Sequence, residues 1–320
     1  MGKSVRSSRF WTTSNGAGDT VEPSSPAAAG SEVILTGIAR SGTTLACTLL
    51  NQLPGTVALH EPMSPRMLAG LSVPDGVNER VAEFFASERR SLLERGEARS
   101  RVIDGRIPDN PYAATPGQNG LRASMVREGI VRFDKPLTPS FRLVIKHPSC
   151  FTALLGTLKQ RFPCHAIVRN PLAVLLSWQT TEANWNHGRQ PAAEVFDDDL
   201  RRRLDAEPDR LGRQLAMLSW SFGQYARHLG PEAVIRYEDL IATGGGALRR
   251  VAPAAGALGE PLCSRNANPI YGDLDVAAIG RRLLATSGPQ WDFYPRQAVR
   301  ELVDQLTSPG SDGAGGNARG

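Results

Sequence analysis

Residues 37–44 read Gly-Ile-Ala-Arg-Ser-Gly-Thr-Thr, a glycine-bracketed stretch that follows the apolar run Val33-Ile34-Leu35-Thr36. A loop of this kind opening a helix leaves backbone N–H groups free, and the helix dipole adds to their attraction for an anion. Ser41, Thr43 and Thr44 supply hydroxyl donors, and Arg40 supplies a charged fork. The loop that binds nucleoside triphosphates needs a Lys directly after its second glycine, reaching the β/γ-phosphates, and a hydroxyl residue that holds Mg²⁺. Here Gly37 and Gly42 keep that loop's separation, but Thr43 occupies the Lys position and the cation has moved ahead to Arg40. The chemistry implied is anion binding of a kind different from ATP with magnesium. An ordinary capped strand-to-helix turn is the alternative.

A second group lies at Val168-Arg169-Asn170-Pro171, with Ser177 eight residues beyond the Arg. Asn can cap a helix and Pro is tolerated at its first position, so a helix starts here with Arg169 just before it. Ser177 then falls about two turns along, and the pair could flank a second phosphate. A capped helix with a surface Arg would account for the same residues.

The elements that must position these groups follow from short β-branched runs alternating with helical patterns, which predicts an α/β fold with a parallel sheet flanked by helices. Strands are expected over 33–36, 56–59, 142–145, 164–168 and 233–235. Helices are expected over 43–53, from 171 to about 185, and from about 211 to 229. Residues 62–140 interrupt the alternation with one charged helix near 79–95 and a Pro/Gly-rich stretch over 108–120, and read as an insertion over the sheet's edge. Ligands of open α/β sheets bind at the carboxyl ends of the strands. The residues that follow the predicted strands are the 37–44 loop, His60-Glu61, Lys146-His147, Arg169, and Arg236-Tyr237-Glu238-Asp239. Nearly every residue with chemistry to offer therefore falls on one rim.

Ala39-Arg-Ser-Gly-Thr-Thr-Leu45 and Ile167-Val-Arg-Asn-Pro-Leu-Ala-Val-Leu-Leu-Ser177, in this order, resemble two elements of the sulfotransferases that use 3′-phosphoadenosine 5′-phosphosulfate (PAPS). They are similar to that family's 5′-phosphosulfate loop and 3′-phosphate element. Val234-Ile-Arg-Tyr-Glu-Asp-Leu240 resembles its recurring R-Y-E-D-L stretch. The resemblance covers roughly residues 32–240, more loosely the rest. It implies a three-layer sulfotransferase fold related to the P-loop nucleotide-binding proteins, PAPS as cofactor with PAP as product, and no metal. The expected cofactor contacts are Arg40, Ser41, Gly42, Thr43, Thr44, Arg169, Ser177 and Tyr237, with Arg265 from a late loop at 263–272. The resemblance makes Glu61 the base and Lys146 the support of the sulfuryl or leaving-group oxygens, beside Arg40. Glu61 could instead merely pair with Arg40 or Lys146. His60 is a substitute base. His147 is second in rank, because cytosolic members space their His one residue further from the Lys; a core or supporting histidine is the other reading. The acceptor would be a small molecule, carbohydrate or lipid.

The bulk properties set bounds. A 320-residue chain that is 41% hydrophobic can bury a substantial core. One catalytic domain is expected over 31–307, between tails at 1–30 and 308–320 whose Gly, Ser and Ala content is too polar to order itself. The net charge of +5 suits an acidic ligand and is too mild to argue nucleic acid. With 33 arginines, the four lysines (Lys3, Lys135, Lys146 and Lys159) stand out. The arginine bias points to a GC-rich, bacterial genome. The four cysteines lack metal spacing and read as reduced core residues of a cytoplasmic protein. No apolar run is long enough for a membrane span. Trp178, Trp185 and Trp220 read as core, Asp197-Asp198-Asp199 as a solvated turn, and Gly244-Gly245-Gly246 as a helix-ending loop. Arg66, Arg106, Arg132 and Arg189 read as solvated surface or contacts to an acidic acceptor. A P-loop kinase with a degenerate loop and a catalytically silent PAP-binding scaffold are the competing functions; oligomeric state is not legible.

Overall fold

The computed structural model describes residues 31–308, so the expected tail at 1–30 and all but Ser308 of the one at 308–320 fall outside the described residues. Five strands form one parallel sheet: β1 (Glu32–Gly37), β2 (Thr56–His60), β5 (Arg142–Lys146), β6 (Cys164–Val168) and β7 (Val234–Arg236), in the order β2-β5-β1-β6-β7. Their registers are parallel throughout, for example Leu35 beside Lys146 and Ile167 beside Ile235. The chain moves from β1 outward over β5 to the edge, then back past β1 to β6 and β7. The order therefore reverses at β1, and that reversal opens the crevice where α/β sheets bind ligands.

Successive strand residues face opposite sides, and both sides are buried, which is why the strand sequences are almost wholly apolar. Ile34, Val57, Leu59, Leu143 and Ile145 enter one core. Val33, Leu35, Ala58 and Val144 enter the other. The second core is closed by α1 (Thr43–Leu50) through Ala46, Cys47, Leu49 and Leu50. The first is closed by α2 (Asp75–Arg95), α3 (Pro148–Ala153) and the helices Pro171–Gln179 and Arg210–His228. The helix Pro171–Gln179 is buried at every residue, as its apolar sequence demands.

Two helices stop earlier than their apolar patterns suggest, for identifiable reasons. α1 ends at Leu50 because the Asn51 amide turns aside to pair with both backbone groups of Ala58 (2.7 and 2.8 Å). The helix from Pro171 ends at Gln179, where the Thr180 and Thr181 hydroxyls bond back to the Ser177 carbonyl (3.1 and 3.2 Å). The chain then pairs with Arg122, whose N–H donates to Thr180 O at 3.0 Å.

Residues 62–140 carry more structure than the sequence pattern showed. Beyond α2, they form an antiparallel pair, β3 (Glu97–Val102) and β4 (Arg127–Arg132). This pair lies against the β2 edge, where Ser100 Oγ accepts from the His60 N–H (3.0 Å). The intervening stretch, residues 103–126, reaches over the carboxyl rim of the main sheet.

Candidate active site

The loop between β1 and α1 is shaped by two glycines. Gly37 has φ +149°, and a Cβ there would lie 2.4 Å from the Ile167 carbonyl oxygen. Gly42 has φ +89°, and its Cβ would meet the Tyr237 ring at 2.8 Å. No side chain caps α1, so the N–H groups of its first turn are left for a ligand. Thr43 and Thr44 face the cleft. Ser41 does not: it is fully buried, with its hydroxyl 2.6 and 2.7 Å from the carbonyl oxygens of Ile38 and Ile167. The expectation of a Ser41 hydroxyl on the ligand is corrected here, because that hydroxyl fastens the loop from beneath. Trp178 Nε1 fastens it from the side by donating to Ala39 O (3.0 Å).

Arg40 has a left-handed φ of 75°, as does Glu61 at 46°. Such conformations cost about 1–3 kcal/mol in a non-glycine residue and mark sites where geometry is imposed. Arg40 Nε donates to Ser177 Oγ (3.1 Å), which brings the two sequence motifs into contact. Its Nη1 donates to Asn110 Oδ1 (3.1 Å), and its guanidinium lies 4.7 Å from the centre of the Tyr112 ring. Burial, followed by repulsion from Arg122, lowers the Arg40 pKa to about 10, which leaves the group charged at neutral pH.

Arg169 is 4% exposed and stacks on Tyr237, 4.7 Å from the ring centre. It donates from Nη1 to Arg40 O (2.9 Å) and from Nε to Asn266 Oδ1 (2.7 Å). Arg265 contributes its backbone carbonyl to Arg169 Nη2, while its side chain is exposed on the rim of the cleft. A third guanidinium, Arg122, comes from the 103–126 stretch; it is 6% exposed and donates to Thr180 Oγ1 (3.0 Å). It lies near enough to Arg40 and Arg169 for the three charges to repel. Among the described residues, none of the three has a carboxylate partner within ion-pair distance. Clustered, desolvated cations without counter-ions are a site prepared for anions.

Across the cleft, Glu61 follows β2 and Lys146 ends β5. Lys146 Nζ donates to Glu61 Oε1 at 2.8 Å, and His60 Nε2 lies 3.3 Å from the same oxygen. Glu61 therefore pairs with Lys146 and not with Arg40. Arg101 of β3, 41% exposed, approaches the other oxygen, Oε2, only to 3.6 Å. Burial alone would raise the Glu61 pKa, but Lys146 first and then His60 outweigh it and hold the carboxyl well below the ordinary range. Burial and Lys146 lower the His60 pKa, and burial drives His147 down to about 4. His147 is 6% exposed, borders the cleft and packs on Phe151 at 5.5 Å.

Arg40, Thr43, Thr44, Glu61, Arg122, Lys146 and Arg169 line one cleft of about 890 Å³ at the carboxyl rim. Trp185, expected in the core, instead forms a wall of it edge-on to Tyr112 (6.1 Å, 69°). Cys263, also expected to be buried, is exposed at its edge; Cys47, Cys150 and Cys164 are buried. Arg189 reaches the cleft but is held by Glu194 and Asp205, while Arg66, Arg106 and Arg132 lie exposed. Asp197 caps the helix Asp198–Ala206 and accepts from Trp220 Nε1 (2.7 Å). Sequence reasoning missed Arg101, Asn110, Tyr112 and Arg122, which carry no motif and reach the cleft only through folding of the 62–140 segment. Among the described residues no cluster of His, Cys, Asp and Glu could hold a metal, and no helix is long and apolar enough to cross a membrane.

No family model matches the sequence, and no curated protein matches it. Solved structures similar to it include a sulfotransferase from Alicyclobacillus acidocaldarius, 15% identical, covering 88% of this chain and 96% of that one with a TM-score of 0.36. A sulfotransferase from Mycobacterium tuberculosis is 15% identical over 80% of this chain and 77% of its own, TM-score 0.34. The sulfotransferase domain of a Synechococcus olefin synthase is 17% identical over 88% and 89%, TM-score 0.33. These likenesses are too distant to assign residues or substrates to this chain, whose functional reading rests on its own site.

Proposed function

We propose that the chain is a PAPS-dependent sulfotransferase that moves a sulfuryl group to a hydroxyl or amine of a small-molecule, carbohydrate or lipid acceptor. One observation carries this reading. The uncapped start of α1 and three guanidinium groups without carboxylate partners face a paired carboxylate and ammonium in the same cleft. The donor set suits a nucleotide with two separate anionic ends: the 37–44 loop with Arg40 for one, and Arg169, Ser177 and Arg122 for the other. Thr43 in place of the loop lysine removes the cation that would reach the β- and γ-phosphates of a nucleoside triphosphate, which favours this over a kinase.

When bound, PAPS would supply a sulfuryl group on a phosphate leaving group. The protein's task is then positioning and charge stabilisation, as in other in-line transfers. Glu61 Oε2, the oxygen without a close partner, accepts the proton of the acceptor hydroxyl. The acceptor oxygen would take the sulfur from that phosphate, leaving the electron pair of the broken sulfur–oxygen bond on the phosphate oxygen. Lys146 and Arg40 stabilise that charge, and the α1 N–H groups and Thr43 hold the remaining oxygens. Lys146 is thus shared: it pairs with the base in the free protein and is needed by the leaving group during transfer.

Titration calorimetry with PAP tests the reading: PAP binds without magnesium, and ATP with magnesium does not displace it. Tight ATP–Mg²⁺ binding with no PAP binding would overturn it. Radiolabelled PAPS offered to phenols, sugars, amines and hydroxylated lipids then identifies the acceptor class, and loss of turnover in Glu61→Gln separates an enzyme from a silent binding protein.

A further inference from the structure

Glu238 stands behind Arg169 at the start of the helix Tyr237–Ala242, and the mechanism above gives it no work. Its carboxylate is nevertheless heavily used. Oε1 accepts from the Asn170 backbone N–H (3.0 Å) and from the Asn266 side-chain amide (2.8 Å). Oε2 accepts from the Tyr294 hydroxyl (2.6 Å), with Arg236 Nε 4.0 Å away.

The contact with Asn266 has a directional consequence. An amide presents donors at one end and an acceptor at the other. Because Glu238 draws the NH₂ of Asn266 toward itself, the amide oxygen turns to Arg169 Nε at 2.7 Å. Arg169 also donates to the backbone carbonyls of Arg40 and Arg265 and sits over the Tyr237 ring. Of its five N–H donors three are taken, which leaves one on each terminal nitrogen, in a plane the neighbours fix. Two such donors are what bidentate recognition of a phosphate requires.

We infer that Glu238 is a positioning residue which, through Asn266, sets the plane of Arg169 and thereby the preference for a nucleotide carrying a 3′-phosphate. The inference rests on the cofactor reading above. Asn266 keeps the Glu238 carboxylate one neutral residue away from the incoming anion, so distance weakens the carboxylate's repulsion while its hold on the site remains. Asn170 ties the same carboxylate to the cap of the helix that carries Ser177, so both sides of this anion site share one anchor.

The test compares affinities for PAP and for 5′-AMP, which lacks the 3′-phosphate, in the full chain by calorimetry. Asn266→Ala lowers PAP affinity about tenfold, the scale of one hydrogen bond to a charged group, and leaves 5′-AMP unchanged. Glu238→Ala does the same, and the double variant is no worse than either single one, because both act along one path. Glu238→Gln keeps an oxygen for Asn266 and retains most of the PAP preference. A purely structural role would lower thermal stability while leaving the PAP to 5′-AMP ratio fixed, and that result would overturn the inference. Should Glu238→Ala not fold, Asn266→Ala and Glu238→Gln decide alone. If the unaltered protein binds no PAP, the cofactor reading itself falls; if it binds PAP and the ratio ignores Asn266, only the positioning role falls.

Discussion

Glu61 is a carboxylate held in its charged form by a neighbour that the proposed transfer would also draw on. The Lys146 ammonium at 2.8 Å keeps the carboxyl well below its ordinary range. A depressed pKa means the charged form persists to lower pH, so the acid limb of kcat/KM lies below that of an unpaired Glu. Removing Lys146 raises the Glu61 pKa, and the acid limb of Lys146→Ala moves upward while its maximum falls. A pH profile of PAP release from PAPS measures both effects. Glu61→Gln loses about a hundred- to ten-thousand-fold in kcat, the usual contribution of a positioned base, while PAP affinity by calorimetry stays within about twofold. His147, whose pKa burial drives down to about 4, borders the same cleft.

At the scale of elements, the site depends on close approach between segments far apart in the chain. Gly42 touches the Tyr237 ring, and Tyr237 underlies Arg169, so the loop and the second anion site are one packed unit. Gly42→Ala forces the ring aside from 2.8 Å and strains a left-handed turn; PAP affinity falls at least tenfold and the melting temperature drops. Asn170 accepts from the Leu172 N–H as the cap of its helix and donates to Ala298 O. Asn170→Ala therefore destabilises by about 1 kcal/mol or more, read from urea denaturation. The principal helices and all five parallel strands could be read from periodicity, because both sheet faces are buried and the strands are apolar throughout. β3 and β4 escaped because neither carries an apolar run: β3 alternates Glu97, Arg99 and Arg101 with the buried Ala98, Ser100 and Val102, and β4 buries only Val131. Their pairing is a property of two partners lying side by side on the β2 edge, not of either segment alone.

For the molecule as a whole, Arg122 links the 62–140 segment to the cofactor side of the cleft. It is bridged to the end of the Ser177 helix through backbone bonds to Thr180 and Glu182. A nucleotide that neutralises Arg40, Arg122 and Arg169 stabilises the entire arrangement. Saturating PAP at a hundred times its dissociation constant adds about 2.7 kcal/mol to unfolding, visible as a rise in melting temperature that magnesium does not alter. Arg122→Ala lowers that gain by weakening PAP binding about tenfold.

The sequence by itself determined the parallel sheet, the glycine loop with its displaced cation, and the rim on which Glu61, Lys146 and Arg169 gather. These are local facts: residue order along a strand and the turn after it fix which groups stand at a carboxyl end. Only the tertiary structure decided that Arg40 reaches Ser177, that Ser41 turns inward, that Glu61 is paired with Lys146, and that Arg122 and Glu238 join the anion site. Each of those is a contact between residues more than 50 positions apart or a side chain's choice of direction. Packing settles such choices, because a buried polar group must find its partner wherever the fold has placed one.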